Sequence, residues 1–435
     1  MLLPSDELAS RLNSCDILPH WDPALVRNRR LYLKLVKTLH ARGLLTFLLE
    51  EERREEIGVF FVKKKDNSLR LIIDARRSNL HFASPPGVSL VTAEGLSRLE
   101  VEPNDDAGPA GPMRFTLGTS DISDAFHRFR IDRPMSGYFC LRPVAAAELG
   151  LGGRMLGGRR LRDDSLIVPA CAALPMGFTW SLFFCQEVGR DIMRSTPELA
   201  GVPEMSDRGA TTVLRPGLPL GDGGGAQYTY VDNLGVLGFE PPAVEQSLAA
   251  ATDRFDKVGL LTHETAIQVD RGETLGCRLD GVALSTRLTE KRYWRLRQGL
   301  SWALSCRALP GWVWEVIIGH CTYCAMCNRD LLPAFSAIYK FIAANYGVAA
   351  PLWDSARREL VAFRGLMPLI RGDWALPWSS RVCLSDASEH GYAVCASVFE
   401  EGSVKEIGRV QERSRFRRLG GHSARAHFSP PTTSS

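Results

Sequence analysis

The segment AQYTYVDNLGVLG, residues 226–238, places an apolar run on each side of Asp232 and Asn233. Alternating apolar residues interrupted by a short polar turn are typical of a β-hairpin, so Asp232 is predicted to lie at its tip. Upstream, RFTLGTSDI predicts another strand that ends near Asp121. Carboxylates on adjacent strand ends suit Mg²⁺, although each Asp alone is also typical of a turn or a helix N-cap.

Length and composition favour a globular chain with more than one core. The 435 residues predict two or three domains, and no apolar run is long enough to cross a bilayer. The start, MLLPSDELAS, lacks the basic and apolar regions of a secretory signal, so we expect an intracellular protein, cytoplasmic or nuclear, without a membrane partner. The eleven cysteines are then expected to be reduced thiols. The net charge of +4 permits nucleic-acid binding without requiring it.

The first half of the chain alternates helical and strand-like patterns. Residues 7–56 have helical periodicity, and residues 57–79 predict a strand, a polar turn and a second strand. An Ala/Gly/Arg-rich insertion at 141–164 and a Pro/Gly-rich one at 196–226 are predicted surface loops. Between them, residues 166–193 predict a strand, a turn and a buried helix.

The second half predicts mostly helices, followed by a change of pattern. A helix is predicted after the hairpin of Asp232, then a hairpin over 273–285, then helices that begin near residues 289, 312 and 330. From residue 381 the segments RVCLSDAS, YAVCASVFEEG and VKEIGRVQE predict short strands. Residues 413–435 contain no Asp or Glu, and the Arg-rich end is predicted to be a disordered basic tail.

Several motifs, taken in order, resemble those of reverse transcriptases from gypsy-like and DIRS-like retroelements. FFVKKKDNSLRLIIDARRSN looks like the fingers hairpin, TSDISDAFHRFRI the first metal motif, LPMGFTWSLFFCQ the template and nucleotide-positioning motif, and YVDN the second metal motif. LGCRLDG is similar to the primer-grip hairpin, and the resemblance covers residues 32–346. It implies an α+β right-hand polymerase with a palm of antiparallel strands. The expected domains are fingers 1–110, palm 111–283, helical thumb 284–350, connection 351–380, and a truncated ribonuclease H-like segment with a basic tail, 381–435.

The resemblance implies a catalytic metal site built on the two strand ends. Asp121 and Asp232 would bind two Mg²⁺ or Mn²⁺ ions, with the backbone carbonyl of Ile122 as a further ligand. Asn233 departs from the family, where a second Asp is common, and its amide oxygen is a weaker ligand for a hard cation. We expect diminished rather than abolished metal affinity.

The resemblance also implies contacts with the incoming deoxynucleotide. The bulky side chain of Phe126 would lie under the sugar and exclude a 2′-hydroxyl, although it also fits a core aromatic. Gly177 would let the backbone approach a base or the template closely. The hairpin cations would neutralise the triphosphate, with Lys64 preferred, although a solvated basic turn would look the same. The expected nucleotide-binding residues are Lys63, Lys64, Lys65, Arg70, Phe126, Gly177 and Gln186.

Primer and template contacts are expected on the primer-grip hairpin and the first thumb helix. Cations on this helix would track duplex phosphates, and an amphipathic helix with a solvated basic face is equally compatible with the pattern. His263 stands near the position where relatives often place a lysine, and it is either a proton donor for pyrophosphate or a surface histidine. The expected primer and template residues are Tyr230, Leu275, Gly276, Lys291, Arg292 and Arg295.

Two further motifs lie towards the C-terminus. HCTYCAMC, residues 320–327, has the cysteine spacing of zinc sites, but no second ligand pair follows, and buried cysteines on an apolar helix are favoured. Asp386 matches the first metal ligand of ribonuclease H, whereas the later carboxylates of that enzyme are missing, so RNA cleavage is not expected. The expected function is RNA-directed DNA polymerisation with an RNA template, a DNA or RNA primer and dNTPs. The alternatives are a catalytically impaired retroelement remnant that binds nucleic acid and a zinc-dependent interaction module.

Overall fold

The computed structural model describes residues 1–13, 15–63, 67–102, 113–388 and 390–410. Helices and strands are mixed along these ranges. No helix in these ranges is long and apolar enough to span a membrane. The helices are α1 Ser5–Asn13, α2 Pro23–Arg27, α3 Arg29–Ala41, α4 Arg76–Asn79, α5 Ala93–Ser97, α6 Ala125–Arg128, α7 Arg133–Ser136, α8 Ala146–Leu149, α9 Ser181–Arg194, α10 Pro241–Lys257, α11 Glu290–Ser305, α12 Gly311–Ala325, α13 Ala337–Ala344, α14 Asp354–Leu366 and α15 Glu401–Arg409.

The strands form small antiparallel sheets and hairpins, with one short parallel pair between β4 and β10. They are β1 Leu45–Leu49, β2 Gly58–Lys63, β3 Leu69–Asp74, β4 Glu100–Val101, β5 Thr116–Ile122, β6 Val144–Ala145, β7 Met155–Leu156, β8 Arg159–Arg160, β9 Leu166–Cys171, β10 Val213–Leu214, β11 Gly225–Tyr230, β12 Asn233–Gly238, β13 Thr262–Val269, β14 Arg271–Thr274, β15 Cys277–Asp280, β16 Ser285–Leu288, β17 Leu309–Pro310, β18 Ala349–Ala350, β19 Gly372–Asp373, β20 Arg381–Ser388 and β21 Gly391–Val398.

A central sheet with the strand order β11-β12-β5-β13 carries both predicted metal ligands. All of its neighbouring strands are antiparallel, and β11 and β12 form the predicted hairpin. Helix α10 covers one face, where the side chains of Val244 and Leu248 pack against Gly118 of β5. A Cβ at Gly118 would lie 3.0 Å from Leu248, so the glycine allows the helix to approach the sheet closely.

The N-terminal part combines helices with two small sheets. Strands β2 and β3 form the hairpin that the sequence predicted, paired from Gly58 with Asp74 to Lys63 with Leu69. The helical prediction for residues 7–56 is wrong at 45–49, because β1 pairs there with β9. LTFLL is a short continuous apolar run, and such runs do not distinguish a strand from a buried helix by periodicity.

Both predicted surface loops contribute to the core, so that prediction is wrong for their apolar residues. From the first insertion, Val144 and Leu161 are buried with the N-terminal core. From the second, Leu214 is buried beside the central sheet, and Leu220 packs under the β11–β12 hairpin. The glycine and proline content of these segments is typical of exposed connections. Each segment nevertheless contains apolar side chains that cover the surface of a sheet.

The region after the central sheet is a helical bundle against the sheet β14-β15-β16-β19. Its core includes Leu300 of α11, Trp314 of α12, Phe341 of α13 and Leu360 of α14. Helix α14 lies within the predicted connection and packs on α11 and α13, which lie in the predicted thumb. The domain boundaries from the sequence remain predictions.

The C-terminal segment begins with the hairpin β20–β21. The strand predicted for VKEIGRVQE is wrong, because its first six residues, 404–409, belong to helix α15. The Glu400 side chain accepts hydrogen bonds from the amides of Gly402 and Ser403 and so caps this helix, a local signal that outweighs a short apolar alternation. The predicted basic tail lies outside the described residues.

Candidate functional site

Asp121 and Asp232 lie side by side at one edge of the central sheet. Asp121 is the penultimate residue of β5, and Asp232 lies in the turn between β11 and β12. The register pairs Asn233 with Asp121, and the amide of Ile122 donates a hydrogen bond to the carbonyl of Asp232 over 2.7 Å. The strand pairing therefore fixes the two carboxylates as neighbours, although 111 positions separate them in the chain.

The charges at this edge are poorly compensated within the protein. Burial and the nearby carboxylate of Asp232 together raise the pKa of Asp121 to about 6, against the opposing effect of His263. Like charges held together in this way favour a bound cation, and carboxylate oxygens are ligands that Mg²⁺ accepts. Across the described ranges no three His, Cys, Asp or Glu side chains are grouped to hold a metal ion. Asp121 and Asp232 therefore fit a cation that takes its other ligands from backbone oxygen, water or substrate phosphates.

Asn233 acts on its neighbour within the same turn. Its Nδ2 donates a hydrogen bond to Oδ1 of Asp232 over 3.0 Å. An aspartate at this position could not donate that bond. The amide thus orients one oxygen of Asp232, and it also removes the negative charge that a second aspartate would add.

Gln186 forms hydrogen bonds with the backbone before this turn, and its predicted contact with nucleotide stays a prediction. The side chain is fully buried on α9. Its Nε2 donates to the carbonyls of Ser89 and Thr229 and to the hydroxyl of Thr229, each over 3.0 Å, and its Oε1 accepts from the amide of Val231 over 2.8 Å. The polar atoms of Gln186 are thus used inside the core, where the side chain positions Val231, the residue that precedes Asp232.

Three non-glycine residues near the two aspartates have a positive φ. Val231 has a φ of 58°, Asp124 a φ of 51°, and Glu264 a φ of 50° within a β-bulge of β13. Residues with side chains rarely adopt this left-handed region, and such outliers cluster at functional sites. The strain marks the sheet edge as a site that the surrounding structure holds in place.

His263 lies directly beside Asp121, opposite it in the pairing of β13 with β5. Its Nδ1 is 3.1 Å from the backbone oxygen of Asp121 and 3.8 Å from the carboxylate Oδ1. The ring is 46% exposed. This position is compatible with both sequence interpretations, the proton donor and the surface histidine.

A cavity of about 1040 Å³ opens at the two aspartates. Asp121, Asp232 and the half-buried Phe126 line it, together with Arg70 of the β2–β3 hairpin. The predicted nucleotide residues Phe126 and Arg70 are thus brought to the predicted metal ligands. Lys63 ends β2 and is exposed, and it does not line this cavity, whereas Lys64 and Lys65 lie outside the described residues.

Gly177 brings the segment before α9 against the β2–β3 hairpin. Its φ is +122°, and a Cβ would lie 2.5 Å from the carbonyl oxygen of Ile73. The Nδ2 of Asn79 donates to the Gly177 carbonyl over 2.9 Å. The close approach in this structure is to the hairpin backbone, which explains the glycine without a nucleic-acid contact.

A second cavity, of about 720 Å³, lies between the sheet edge and the helical bundle. Asp121 and Asn233 line one side of it. Leu275 and Gly276, in the turn between β14 and β15, line another part. The predicted primer and template residues that border the cavity are Leu275, Gly276, Lys291, Arg292 and Arg295. Tyr230 ends β11 and is half-buried beside the core under α10, outside the lining of either cavity.

The β14–β15 turn is fastened to the bundle by side chains. Leu275 has a φ of 48°, and its carbonyl accepts a hydrogen bond from the hydroxyl of Tyr323 on α12. The guanidinium of Arg292 lies 5.1 Å from the centre of the Tyr323 ring. A Cβ at Gly276 would lie 2.4 Å from the Arg292 guanidinium carbon, so only glycine leaves room for this arrangement.

The cysteine motif and Asp386 do not join the site. Cys321, Cys324 and Cys327 are buried in the bundle core, and burial raises the pKa of the Cys324 thiol to about 12, as expected for inert apolar packing. The sequence predicted one helix that carries all three cysteines. This prediction is wrong for Cys327, because α12 ends at Ala325 and Cys327 follows it. Asp386 lies on the exposed hairpin β20–β21, opposite Ala393.

Sequence reasoning missed three arginines of the larger cavity. Arg42, Arg128 and Arg130 line it together with Arg70. Arg42 closes helix α3, and the other two follow β5. No motif spacing connects residues 42 and 130, so only the fold reveals that they are neighbours.

The fold is similar to that of solved reverse transcriptase structures. A foamy viral protease-reverse transcriptase dRH in complex with double-stranded DNA matches with a TM-score of 0.54 and 13% identity, over 94% of this chain and 70% of that chain. A second structure of the foamy viral protease-reverse transcriptase in complex with double-stranded DNA matches with a TM-score of 0.51 and 14% identity, over 93% and 79%. No protein-family model and no curated protein matches the chain.

Proposed function

We propose that the chain is an RNA-directed DNA polymerase of a retroelement of the gypsy-like or DIRS-like kind. The observation that carries the proposal is the pairing of Asp121 and Asp232 at one sheet edge, beside a cavity lined by Phe126 and Arg70. The reverse transcriptase fold and the order of the sequence motifs support the same function. The β2–β3 hairpin, the central sheet and the helical bundle then take the parts of fingers, palm and thumb.

In the proposed reaction the 3′-hydroxyl oxygen of the primer bonds to the α-phosphorus of a dNTP. The bond to the bridging oxygen breaks, pyrophosphate leaves, and the hydroxyl proton passes to solvent. Asp121 and Asp232, with the Ile122 carbonyl, would hold two Mg²⁺ or Mn²⁺ ions, which supply stabilisation of the attacking and leaving oxygens when bound. Asn233 donates to one oxygen of Asp232, and Gln186 fixes the preceding amide, so the protein sets the carboxylate orientation before substrate binds.

The remaining site residues select and place the substrates. Phe126 leaves no room for a 2′-hydroxyl, which favours a deoxynucleotide, and Arg70 neutralises phosphate charge. Lys291, Arg292 and Arg295 face the second cavity, where they would track the phosphates of an RNA template paired with a DNA or RNA primer. Ribonuclease H activity does not belong to the proposal.

A second candidate function follows from Asn233. An amide in place of a carboxylate weakens metal binding, and a chain that retained the groove without turnover would bind nucleic acid as a remnant of a retroelement. The hydrogen bond from Asn233 to Asp232 argues against a simple loss, since it orients a metal ligand. Primer extension separates the two functions.

The test is extension of a labelled primer on an RNA template with dNTPs and either Mg²⁺ or Mn²⁺. We expect the native chain and the distant control Asp253→Asn, on the exposed face of α10, to extend the primer, and Asp121→Asn to fail. Extension by Asn233→Asp alone, with duplex binding retained by the native chain, would establish the binding protein instead. Extension by Asp121→Asn at the native rate would disprove the proposed metal site.

A further inference from the structure

The cavity at the two aspartates has a cationic wall that the polymerase motifs do not include. Four arginines line it, namely Arg42, Arg70, Arg128 and Arg130. Within the described residues none of the four forms an ion pair with a carboxylate, although most other arginines near the fingers do, such as Arg53 and Arg133. Uncompensated guanidinium groups around one cavity form a binding surface for clustered negative charge.

Two of these arginines are held in place by backbone oxygens. Arg128 donates to the carbonyl of Ser123 over 2.5 Å and to that of Gly259 over 3.3 Å. Arg130 donates to the carbonyl of Gly43. A carbonyl fixes a guanidinium without neutralising it, so both side chains keep their full charge and spare N–H groups for a ligand.

The contact at Gly43 sets the position of Arg42. Gly43 has a φ of +69°, and a Cβ there would lie 3.1 Å from the Arg130 guanidinium, so glycine permits the close approach. Arg42 precedes this glycine as the C-cap of α3, and its exposed side chain has no hydrogen-bond or ion-pair partner among the described residues. The end of α3 and the segment after α6 therefore bring the guanidinium groups of Arg42 and Arg130 to the cavity that Arg70 of the β2–β3 hairpin also lines.

We propose that Arg42 and Arg130 bind the outer phosphates of the incoming nucleoside triphosphate, in addition to the contact from Arg70 of the β2–β3 hairpin. This inference rests on the proposed function, and it adds a substrate contact outside the fingers hairpin. Arg42 is the primary contact, and Arg130 supports it from its anchor on Gly43. The nucleotide is then gripped from two sides, with its α-phosphate next to the aspartates.

The ligand chemistry follows from the two kinds of charge in one cavity. The carboxylates of Asp121 and Asp232 favour a ligand that brings cations. The four arginines that line the same cavity favour a ligand with several phosphates close together. A metal-bound triphosphate meets both requirements, and the volume of about 1040 Å³ holds one nucleotide. A nucleic-acid backbone distributes its charge along an extended groove, which suits the row of cations on α11 better than this cavity.

The experiment measures binding of inorganic tripolyphosphate with Mg²⁺ to the full chain by titration calorimetry. Arg42→Gln should weaken the affinity about tenfold, because it removes one charge-assisted contact, and Arg42→Lys should retain part of it. Arg27→Gln is the matched control, since Arg27 is exposed at the end of α2 and does not line the cavity. Unchanged melting temperatures of all variants establish that they fold.

A second measurement, the affinity for a primer–template duplex by fluorescence anisotropy, separates the possible ligands. The proposed contact requires that Arg42→Gln leaves the duplex affinity unchanged. A parallel loss of duplex affinity, or an unchanged tripolyphosphate affinity, would overturn it. Tripolyphosphate binding needs no turnover. If Arg42→Gln weakens this binding in a chain that extends no primer, the polymerase is refuted, whereas the phosphate contact of Arg42 stands. A chain whose Arg42→Gln variant extends primers with an unchanged KM for dNTP refutes this inference and keeps the polymerase.

Discussion

Replacement of Gln186 tests whether this residue supports the metal site or touches the nucleotide. Gln186→Met retains the length of the side chain and removes all four hydrogen bonds. The amide of Val231 and the carbonyls of Ser89 and Thr229 are then left without this partner. Since a buried polar group without a partner costs about 1–3 kcal/mol, the unfolding free energy should fall by about 2–4 kcal/mol. The loosened turn should also lower kcat, because Asp232 follows Val231 directly.

The assay combines urea unfolding with steady-state primer extension at several dNTP concentrations. We expect lower stability and lower kcat, with a KM for dNTP that stays near the native value. Gln246→Met, on the exposed face of α10, is the matched control and should leave both properties unchanged. A raised KM with native stability would show that Gln186 contacts the nucleotide, and would refute its placement in the core.

Three further predictions address stability and substrate choice. Asp74→Asn should lower the unfolding free energy at neutral pH, since a hydrogen bond from Arg76 lowers the pKa of Asp74 to about 2. This contribution is present above the unfolded pKa near 4 and is lost as the pH falls through about 2, so unfolding curves of the two proteins should converge in acid. Gly177→Ala should lower the melting temperature, because its φ is +122° and a Cβ would meet the Ile73 carbonyl at 2.5 Å. Phe126→Ala should lower the preference for dNTP over rNTP, measured as the ratio of kcat/KM values, by about tenfold or more.

The sequence predicts those parts of the site that depend on local patterns. The apolar runs around Asp232 specify a hairpin, and the strand before Asp121 is apolar and bounded by a turn, so both aspartates fall at strand ends. The β2–β3 hairpin follows from the same logic. Their meeting at one sheet edge was implied by the order of the motifs, and the register of β5 with β12 confirms that they are adjacent.

The remaining features depend on contacts between distant segments. Gln186 is the last residue of the motif LPMGFTWSLFFCQ, and only the packing of α9 on β11 shows that it is buried. Arg42 and Arg130 are joined through Gly43, a contact between the end of α3 and the segment after β5 that no local pattern encodes. Strand β1 could not be predicted for a similar reason, since its partner β9 lies more than a hundred residues away in the sequence.

Single-turnover incorporation by the native chain, with Asn233 in place, tests the central claim most directly. A primer annealed to RNA is mixed with one dNTP at a time and Mg²⁺, and addition of a single nucleotide is followed with time. We expect that only the complementary dNTP is added, and that Asp232→Asn lowers the rate by roughly a hundredfold or more. Duplex binding without any addition by the native chain, in Mg²⁺ and in Mn²⁺, would contradict it.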